Sequence, residues 1–95
     1  MYEIRFGPHM ADELRRLPRE HQDRIVARIN SLGTAPRPRG IVQLEPGVYR
    51  LRVGDYRIIY QVIDRDQVVL IIHVRRRRED TYKNIVSAPN RWGGT

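Results

Sequence analysis

Cysteine is absent from this sequence of 95 residues. Its absence excludes disulfide bonds, thiolate metal sites and a cysteine nucleophile together. The three histidines, His9, His21 and His73, are scattered along the chain and do not replace the missing ligands. We therefore expect a protein that works without a metal ion and without a bound cofactor.

Long apolar runs are also missing. No run approaches the roughly 18–20 residues that span a bilayer. The segment MYEIRFGPHMADELRR lacks the basic region, the unbroken apolar stretch and the small-residue cleavage site of a signal peptide. We expect a soluble, cytoplasmic protein with no membrane partner. A chain of this length has room for one core, so residues 1–95 are predicted to form one domain with a flexible tail over about 87–95.

Lysine is scarce among the basic residues, because Lys83 is the only lysine among 18. Against 11 acidic residues these give a formal charge of +7. An imbalance of this size favours polyanionic partners, and nucleic acid is the first candidate. Arginine suits phosphate because its guanidinium is a planar, permanently charged fork. A GC-rich genome would also produce a preference for arginine, but it would not cluster the arginines.

Hydrophobic periodicity predicts one strand and two helices in the first third of the chain. Residues 2–6 alternate apolar and polar side chains, as in a half-buried strand. Apolar residues then recur at helical spacing on both sides of Pro18, which suits the first position of a helix. We predict a helical hairpin over residues 9–32. The proline-rich segment 34–40 is expected to be an extended loop that does not pack.

A β pattern begins at Val48 and gives the strands VYRLRV, YRIIYQVI and QVVLIIHV. They are separated by Gly54-Asp55 and by a turn around residues 64–66. The sequence therefore predicts an α+β fold with the order β-α-α-β-β-β. In this fold the helical hairpin packs on a twisted, mainly antiparallel four-stranded sheet, and a short C-terminal helical segment or tail follows.

The register of the first two meander strands follows from the Gly54-Asp55 turn, because glycine supplies the positive φ that a two-residue hairpin loop needs. Arg52 is then opposite Arg57, and Arg50 lies one diagonal step from Arg57 on the same face. This face is predicted to be basic. The opposite face carries residues that the helices can cover: Tyr49, Leu51, Val53, Tyr56, Ile58 and Tyr60.

An ordinary solvated sheet surface and an anion-binding surface both fit this pattern. Like charges directly opposite each other cost up to about 1 kcal/mol unless an anion neutralises them. The run of arginines 75–78 follows the last strand, and alternation directs at least one of them towards the basic face without deciding which. Such a run is also typical of a solvated segment or a general nucleic-acid patch. Tyr82 suits stacking on a base and, equally, packing on its own turn.

His73 is a candidate for proton transfer because imidazole exchanges protons near neutral pH. If the last turn keeps the same parity, His73 is opposite Ile58 on the side that faces the helices. A hydrogen-bonded core histidine is the expectation in that register. A change of one residue in the turn would reverse its face. His9 and His21 lie near helix starts and are interpreted as structural.

Residues 48–82, VYRLRVGDYRIIYQVIDRDQVVLIIHVRRRREDTY, strongly resemble the sheet segment of RelE-type toxins, a branch of the RelE/ParE superfamily of type II toxin-antitoxin systems. The most specific part is YRLRVGDYRIIYQV followed by a basic cluster and a tyrosine. The resemblance implies a metal-independent endoribonuclease, an mRNA interferase that cuts messenger RNA, commonly in the ribosomal A site. The site residues that it implies are Arg50, Arg52, Arg57, Arg77 and Tyr82.

In the reaction expected of such an enzyme, the ribose 2′-hydroxyl attacks the adjacent phosphate and leaves a 2′,3′-cyclic phosphate and a 5′-hydroxyl. Arg57 and Arg77 are the candidates for stabilising the phosphorane charge, and Arg50 and Arg52 for positioning and activating the hydroxyl. Tyr82 is the candidate for stacking.

The proton acceptor stays open at this point. Some family members have lysines at the first two of these positions, where this sequence has Arg50 and Arg52. A guanidinium with a pKa above about 12 is a poor general base at neutral pH. Glu79 is a further candidate for the base.

Other functions and partners also fit the sequence. The ParE branch inhibits DNA gyrase by binding, without nuclease activity, and a plain nucleic-acid-binding module is a third hypothesis. The resemblance implies an acidic or amphipathic antitoxin partner. The strand QVVLIIHV is apolar on both faces, so Leu70 and Ile72 need cover on the side away from the helices, from a partner or from the chain's own tail.

Overall fold

The chain forms a helical hairpin and a five-stranded sheet in the computed structural model, which describes residues 1–76. The predicted C-terminal helical segment and the tail lie outside the described residues. In chain order the elements are β1 (Glu3–Phe6), α1 (Met10–Arg15), α2 (Arg19–Ser31), β2 (Val42–Glu45), β3 (Val48–Val53), β4 (Tyr56–Ile63) and β5 (Val68–Arg76).

The strand order in the sheet is β1-β5-β4-β3-β2. β1 runs parallel to β5, and the other neighbouring pairs are antiparallel. The parallel pair ends at Phe6, opposite Ile71, so β5 continues for five residues beyond the end of its neighbour. The predicted α+β fold and the mainly antiparallel sheet are confirmed.

β2 was not predicted, so the sheet has five strands where four were expected. All four residues of β2 are exposed, and a strand without a buried face lacks the alternation from which strands are predicted. β2 pairs with β3 from Val42 opposite Arg50 to Glu45 opposite Val48, with a register shift after Gln43. Pairing of the main chain, rather than burial of side chains, therefore accounts for this edge strand.

The hairpin between β3 and β4 has the predicted register. Arg52 is opposite Arg57 and Val53 is opposite Tyr56. Gly54 has a φ of +60°, a conformation that residues with a Cβ rarely adopt. A Cβ at this position would also lie 2.7 Å from a guanidinium nitrogen of Arg24 in α2. Glycine therefore sets the turn, and the flexible end of the Arg24 side chain occupies the space beside it.

The core lies between the helical hairpin and one face of the sheet. Met10 of α1 and Ile25 and Ile29 of α2 are at most 1% exposed. Each such apolar side chain contributes about 1.5–3 kcal/mol relative to an exposed one. The apolar face predicted for the meander is confirmed, since its residues are buried except for Val53, which is partly buried against the same cluster. Strand alternation then directs the intervening residues of β3 and β4 away from the helices.

The predicted helical hairpin is confirmed with one small difference. Pro18 precedes the first residue of α2 and caps it from the extended region, at φ −57° and ψ 144°. Its carbonyl oxygen accepts hydrogen bonds from the backbone N–H groups of His21 and Gln22, both at 2.9 Å. No helix in residues 1–76 combines the length and the apolar character needed to cross a bilayer.

The proline-rich loop packs on the sheet, contrary to expectation. The Tyr60 hydroxyl donates to the carbonyl oxygen of Pro36 at 2.8 Å. The Arg37 guanidinium donates to the Tyr49 hydroxyl at 3.0 Å and to the Asp64 carboxylate at 2.7 Å. The prediction of an unpacked loop is wrong because the hydroxyl groups of the buried tyrosines need partners, and this loop supplies them.

The folded structure shifts the pKa values of Tyr60 and Asp64 in opposite directions. Burial raises the pKa of Tyr60 to about 12. Hydrogen bonds from Arg37 and from the Tyr2 hydroxyl, the latter at 2.5 Å, hold the pKa of Asp64 below its usual value. The folded state therefore favours a neutral Tyr60 and an ionised Asp64.

Tyr60→Phe should lower the free energy of unfolding by about 1 kcal/mol near neutral pH, because it removes one hydrogen bond to the loop. Unfolded tyrosine ionises near pH 10, and the folded pKa is about 12. The wild type should therefore lose stability as the pH rises from about 10 to about 12, and the variant should lose less. Urea unfolding at pH 7 and pH 11 tests this, and equal losses in both proteins would contradict it.

Asp64→Asn should lower the melting temperature at pH 7, since it removes the charge that binds Arg37. A carboxyl with a lowered folded pKa stabilises above its unfolded pKa, near 3.9, and that contribution is lost as the pH falls. The gap between variant and wild type should therefore shrink below about pH 4. Asp66→Asn in the same turn is the control. A gap for Asp64→Asn that is constant from pH 7 to pH 3 would disprove the charge effect.

Candidate nucleic-acid interface

Three arginines lie in a line across three neighbouring strands. Arg57 on β4 is opposite Arg52 on β3 and opposite Arg75 on β5. Paired residues of adjacent antiparallel strands point to the same face, with Cα atoms about 4.5–5.5 Å apart. Arg50 lies on this face two residues before Arg52. We call these four residues the arginine face.

The packing on the other side of the sheet explains this arrangement. Leu51 on β3 and Ile58 on β4 are buried against the helices, so the residues next to them must point the opposite way. Arg50 and Arg57 are half-buried, whereas Arg52 and Arg75 are exposed. The predicted convergence of the first three arginines on one face is confirmed. Arg75 is the member that the sequence analysis did not single out.

The arginine face concentrates positive charge. Two unit charges about 4 Å apart repel by about 1 kcal/mol in water and by more near a protein surface. Arginines paired on three adjacent strands therefore place like charges next to one another. A phosphate bound between them would replace this repulsion by charge-assisted hydrogen bonds, for which guanidinium groups have the matching planar geometry.

His73 does not have the predicted register. The pairing of β4 with β5 shifts between Ile59 and Tyr60, so that Tyr60 is opposite Ile71 but Ile59 is opposite His73. The extra residue, Ile72, forms a β-bulge, which reverses the alternation of everything that follows it. The prediction that His73 pairs with Ile58 and faces the helices is wrong. His73 lies on the arginine face.

Glu13 of α1 binds the strand at this point. Its Oε2 accepts a hydrogen bond from Nδ1 of His73 at 3.1 Å, and its Oε1 accepts one from the backbone N–H of Val74 at 2.9 Å. The Nε of Arg75 is 3.9 Å from Oε2. The Glu13 side chain is 19% exposed. Glu13 thus accepts the hydrogen bond of a backbone N–H group at the edge of β5, beyond the point where β1 ends. No local sequence pattern indicates this role.

Arg76 lies on the other side of β5. It is opposite Tyr56, and its guanidinium carbon is 5.9 Å from the centre of the Tyr56 ring. The His21 ring packs on the same tyrosine at 5.3 Å between centroids, as expected of a structural histidine. Arg76 and Tyr56 also line a cleft of about 450 Å³, whose other walls are Glu13, Arg16, Leu17, Pro18, Val74 and Arg75.

The expectation that at least one arginine of the run 75–78 joins the basic face is confirmed by Arg75. Arg77 and Tyr82, the two other residues predicted for the site, lie outside the described residues. Within residues 1–76, no three His, Asp or Glu side chains form a group that could hold a metal ion. The described part of the site offers guanidinium groups and the hydrogen-bonded His73–Glu13 pair.

Comparison with known proteins agrees with this fold. Residues 4–81 match the family model of the ParE toxin of the type II toxin-antitoxin system parDE. The chain is 30% identical, over 88 residues, to the toxin-family protein RelE1 of Methanocaldococcus jannaschii, covering 87% of this chain and 97% of the relative.

Solved structures give the same result. The structure of the archaeal RelE-RelB complex from Pyrococcus horikoshii is similar with a TM-score of 0.70 and 29% identity, over 80% of this chain and 94% of that chain. The isolated Escherichia coli RelE toxin is similar with a TM-score of 0.73 and 25% identity, over 92% of this chain and 97% of that chain. The chain therefore belongs to the RelE/ParE superfamily of toxins from type II toxin-antitoxin systems.

Proposed function

We propose that this toxin is a metal-independent endoribonuclease of the cytoplasm that cuts messenger RNA in the ribosomal A site. The observation that carries the proposal is the line of Arg52, Arg57 and Arg75 across three paired strands. Strands in a sheet are about 4.8 Å apart, so the line spans about 10 Å between its outer Cα atoms. A surface of this size can contact the scissile phosphate from more than one side.

The reaction we propose is attack of the ribose 2′-hydroxyl on the adjacent phosphate, which yields a 2′,3′-cyclic phosphate and a 5′-hydroxyl. Negative charge grows on the phosphoryl oxygens in the transition state, and donors fixed in place stabilise it without reorganisation. Arg57 is central in the line and is supported on both sides by paired strands, so we assign it this role together with Arg75. Arg50 and Arg52 position the ribose and its phosphate.

Arg77 and Tyr82 remain part of the proposal. Arg77 follows the described end of β5, and it is proposed to extend the positive surface towards the scissile phosphate. Tyr82 is proposed to stack on a base of the bound RNA, as aromatic residues do in sequence-tolerant binding of single strands.

We also propose that the chain binds a cognate antitoxin. The relatives from Pyrococcus horikoshii and Methanococcus jannaschii were solved as complexes of RelE with RelB. Leu70 is opposite Gln61 on the face away from the helices and is only partly buried, as is Ile72 in the bulge. An amphipathic partner segment with acidic residues would cover these apolar side chains and neutralise the neighbouring arginines.

A second candidate function is inhibition of DNA gyrase by binding. The observation that favours it is the match to the ParE family model. A gyrase inhibitor acts through its surface and needs no preorganised reaction centre. The arginine face would then bind gyrase, and the toxin would leave messenger RNA uncut.

Cleavage of ribosome-programmed mRNA by the purified toxin tests the nuclease. Arg57→Ala and Arg75→Ala should each slow cleavage by about 100- to 1,000-fold, as expected when one fixed donor to the transition state is lost. Arg65→Ala, in the exposed turn after β4, removes the same charge from elsewhere and should cleave like the wild type. Melting temperatures establish that each variant is folded.

Wild-type rates in both Arg57→Ala and Arg75→Ala would show that the line of arginines is not the reaction centre. A supercoiling assay with gyrase, run beside the cleavage assay, separates the two candidate functions. A toxin that inhibits supercoiling and leaves the programmed mRNA intact would overturn the nuclease in favour of the gyrase inhibitor.

A further inference from the structure

The four arginines of the arginine face stabilise charge, but none of them removes a proton at neutral pH, since guanidinium groups stay protonated. His73 is the imidazole on this face, and Glu13 holds it from α1. We propose that His73 is the general base of the reaction and that Glu13 is its positioning residue. This inference rests on the proposed ribonuclease function and adds the proton acceptor to it.

The hydrogen bond to Glu13 selects one tautomer of the neutral imidazole. A carboxylate can only accept, so the 3.1 Å contact places the proton of the neutral ring on Nδ1, which donates to Oε2 of Glu13. The lone pair that can accept a proton is then on Nε2. Glu13 is itself fixed by the backbone N–H of Val74 at 2.9 Å. The tautomer and the ring orientation are thus both set by a carboxylate that is tied to the strand.

The position of His73 suits the proton that must be moved. Residues two apart on a strand share a face and are about 7 Å apart, so His73 is one such step from Arg75. Its partner Ile59 is one such step from Arg57. A phosphate held between the two arginines would therefore have the imidazole beside it, within reach of a hydroxyl of the attached ribose.

The β-bulge at Ile72 decides which face of the sheet carries His73. If Ile72 were an ordinary paired residue and no bulge formed, regular alternation from buried Ile71 would point His73 towards the helices. Bulges re-aim side chains and occur frequently beside active sites. The bulge brings His73 and Arg75 to the same face as Arg57, so one irregularity supplies both a base and a donor.

In the proposed step, Nε2 of His73 takes the proton of the 2′-hydroxyl while the 2′-oxygen forms a bond to phosphorus. The bond from phosphorus to the 5′-oxygen breaks, and the departing oxygen takes a proton from water. The products are a 2′,3′-cyclic phosphate and a 5′-hydroxyl. The imidazolium formed is stabilised by Glu13 and returns its proton to solvent.

The charged groups around the imidazole come from each neighbouring element. Glu13 approaches from α1, Arg75 is on the same strand, Arg57 is on β4, and Arg5 of β1 lies further along the same face. A carboxylate thus contacts the ring, and the guanidinium groups lie on the same face of the sheet.

The decisive variant is His73→Asn. The asparagine amide occupies the place of Nδ1 and can still donate to Glu13, but it cannot accept a proton from the ribose. We expect wild-type melting temperature and RNA affinity, cleavage slower by about 100- to 10,000-fold, and loss of the acid limb of the pH–rate profile. His9→Ala, which removes an imidazole that caps no helix through its side chain, is the matched control with wild-type rates.

Glu13→Gln tests the positioning residue. Its amide oxygen can still accept from the Val74 N–H, but its NH₂ group would donate to Nδ1 and shift the ring proton to Nε2. We expect a folded protein whose cleavage is at least about 10-fold slower, because the wrong tautomer predominates. A role of Glu13 in tying α1 to β5 alone would lower the melting temperature and leave the rate of the folded fraction unchanged.

The outcomes separate this inference from the function on which it rests. Wild-type toxin that leaves mRNA intact would remove the ribonuclease, and the proton acceptor with it. Wild-type toxin that produces 2′,3′-cyclic ends establishes the reaction. In that case His73→Asn with a rate within threefold of wild type and an unchanged pH profile would overturn the base while the nuclease stands. A loss explained entirely by weaker RNA binding or a lower melting temperature would overturn it as well.

Discussion

The register between β3 and β4 is the constraint on which the rest of the structure depends. Gly54 turns the chain so that buried residues meet buried residues on one face and arginines meet arginines on the other. A slip of one position would exchange the two faces, placing charge in the core and apolar side chains in water. The hydrophobic burial that folds the protein therefore also concentrates its charge, and the two cannot be changed separately.

Much of this arrangement could be predicted from local sequence. The Gly54-Asp55 turn fixes its own geometry, and alternation extends that geometry along both strands, so Arg50, Arg52 and Arg57 were placed correctly. The helical hairpin was predictable because its apolar spacing and Pro18 act within a few residues of one another.

The features that could not be predicted depend on contacts between distant segments. Ile72 fits an apolar strand in either register, so nothing local reveals that it is the extra residue and that His73 faces outwards. Glu13 looks like an ordinary acid in a helix, and its partner is a backbone donor left open because β1 is short. The exposed β2 gives no burial pattern at all. Tertiary pairing decides each of these positions.

The bulge in β5 also bears on how the length of this strand can vary between relatives. Removal of the codon for Ile72 would straighten the strand, since buried Ile71 would then be followed by an outward His73 and an inward Val74 in regular alternation. Every other side chain would keep its side of the sheet. A deletion in a strand without a bulge would instead exchange the two sides for the rest of the strand. Homologous sequences aligned at this strand should therefore tolerate a gap of one residue at the bulge.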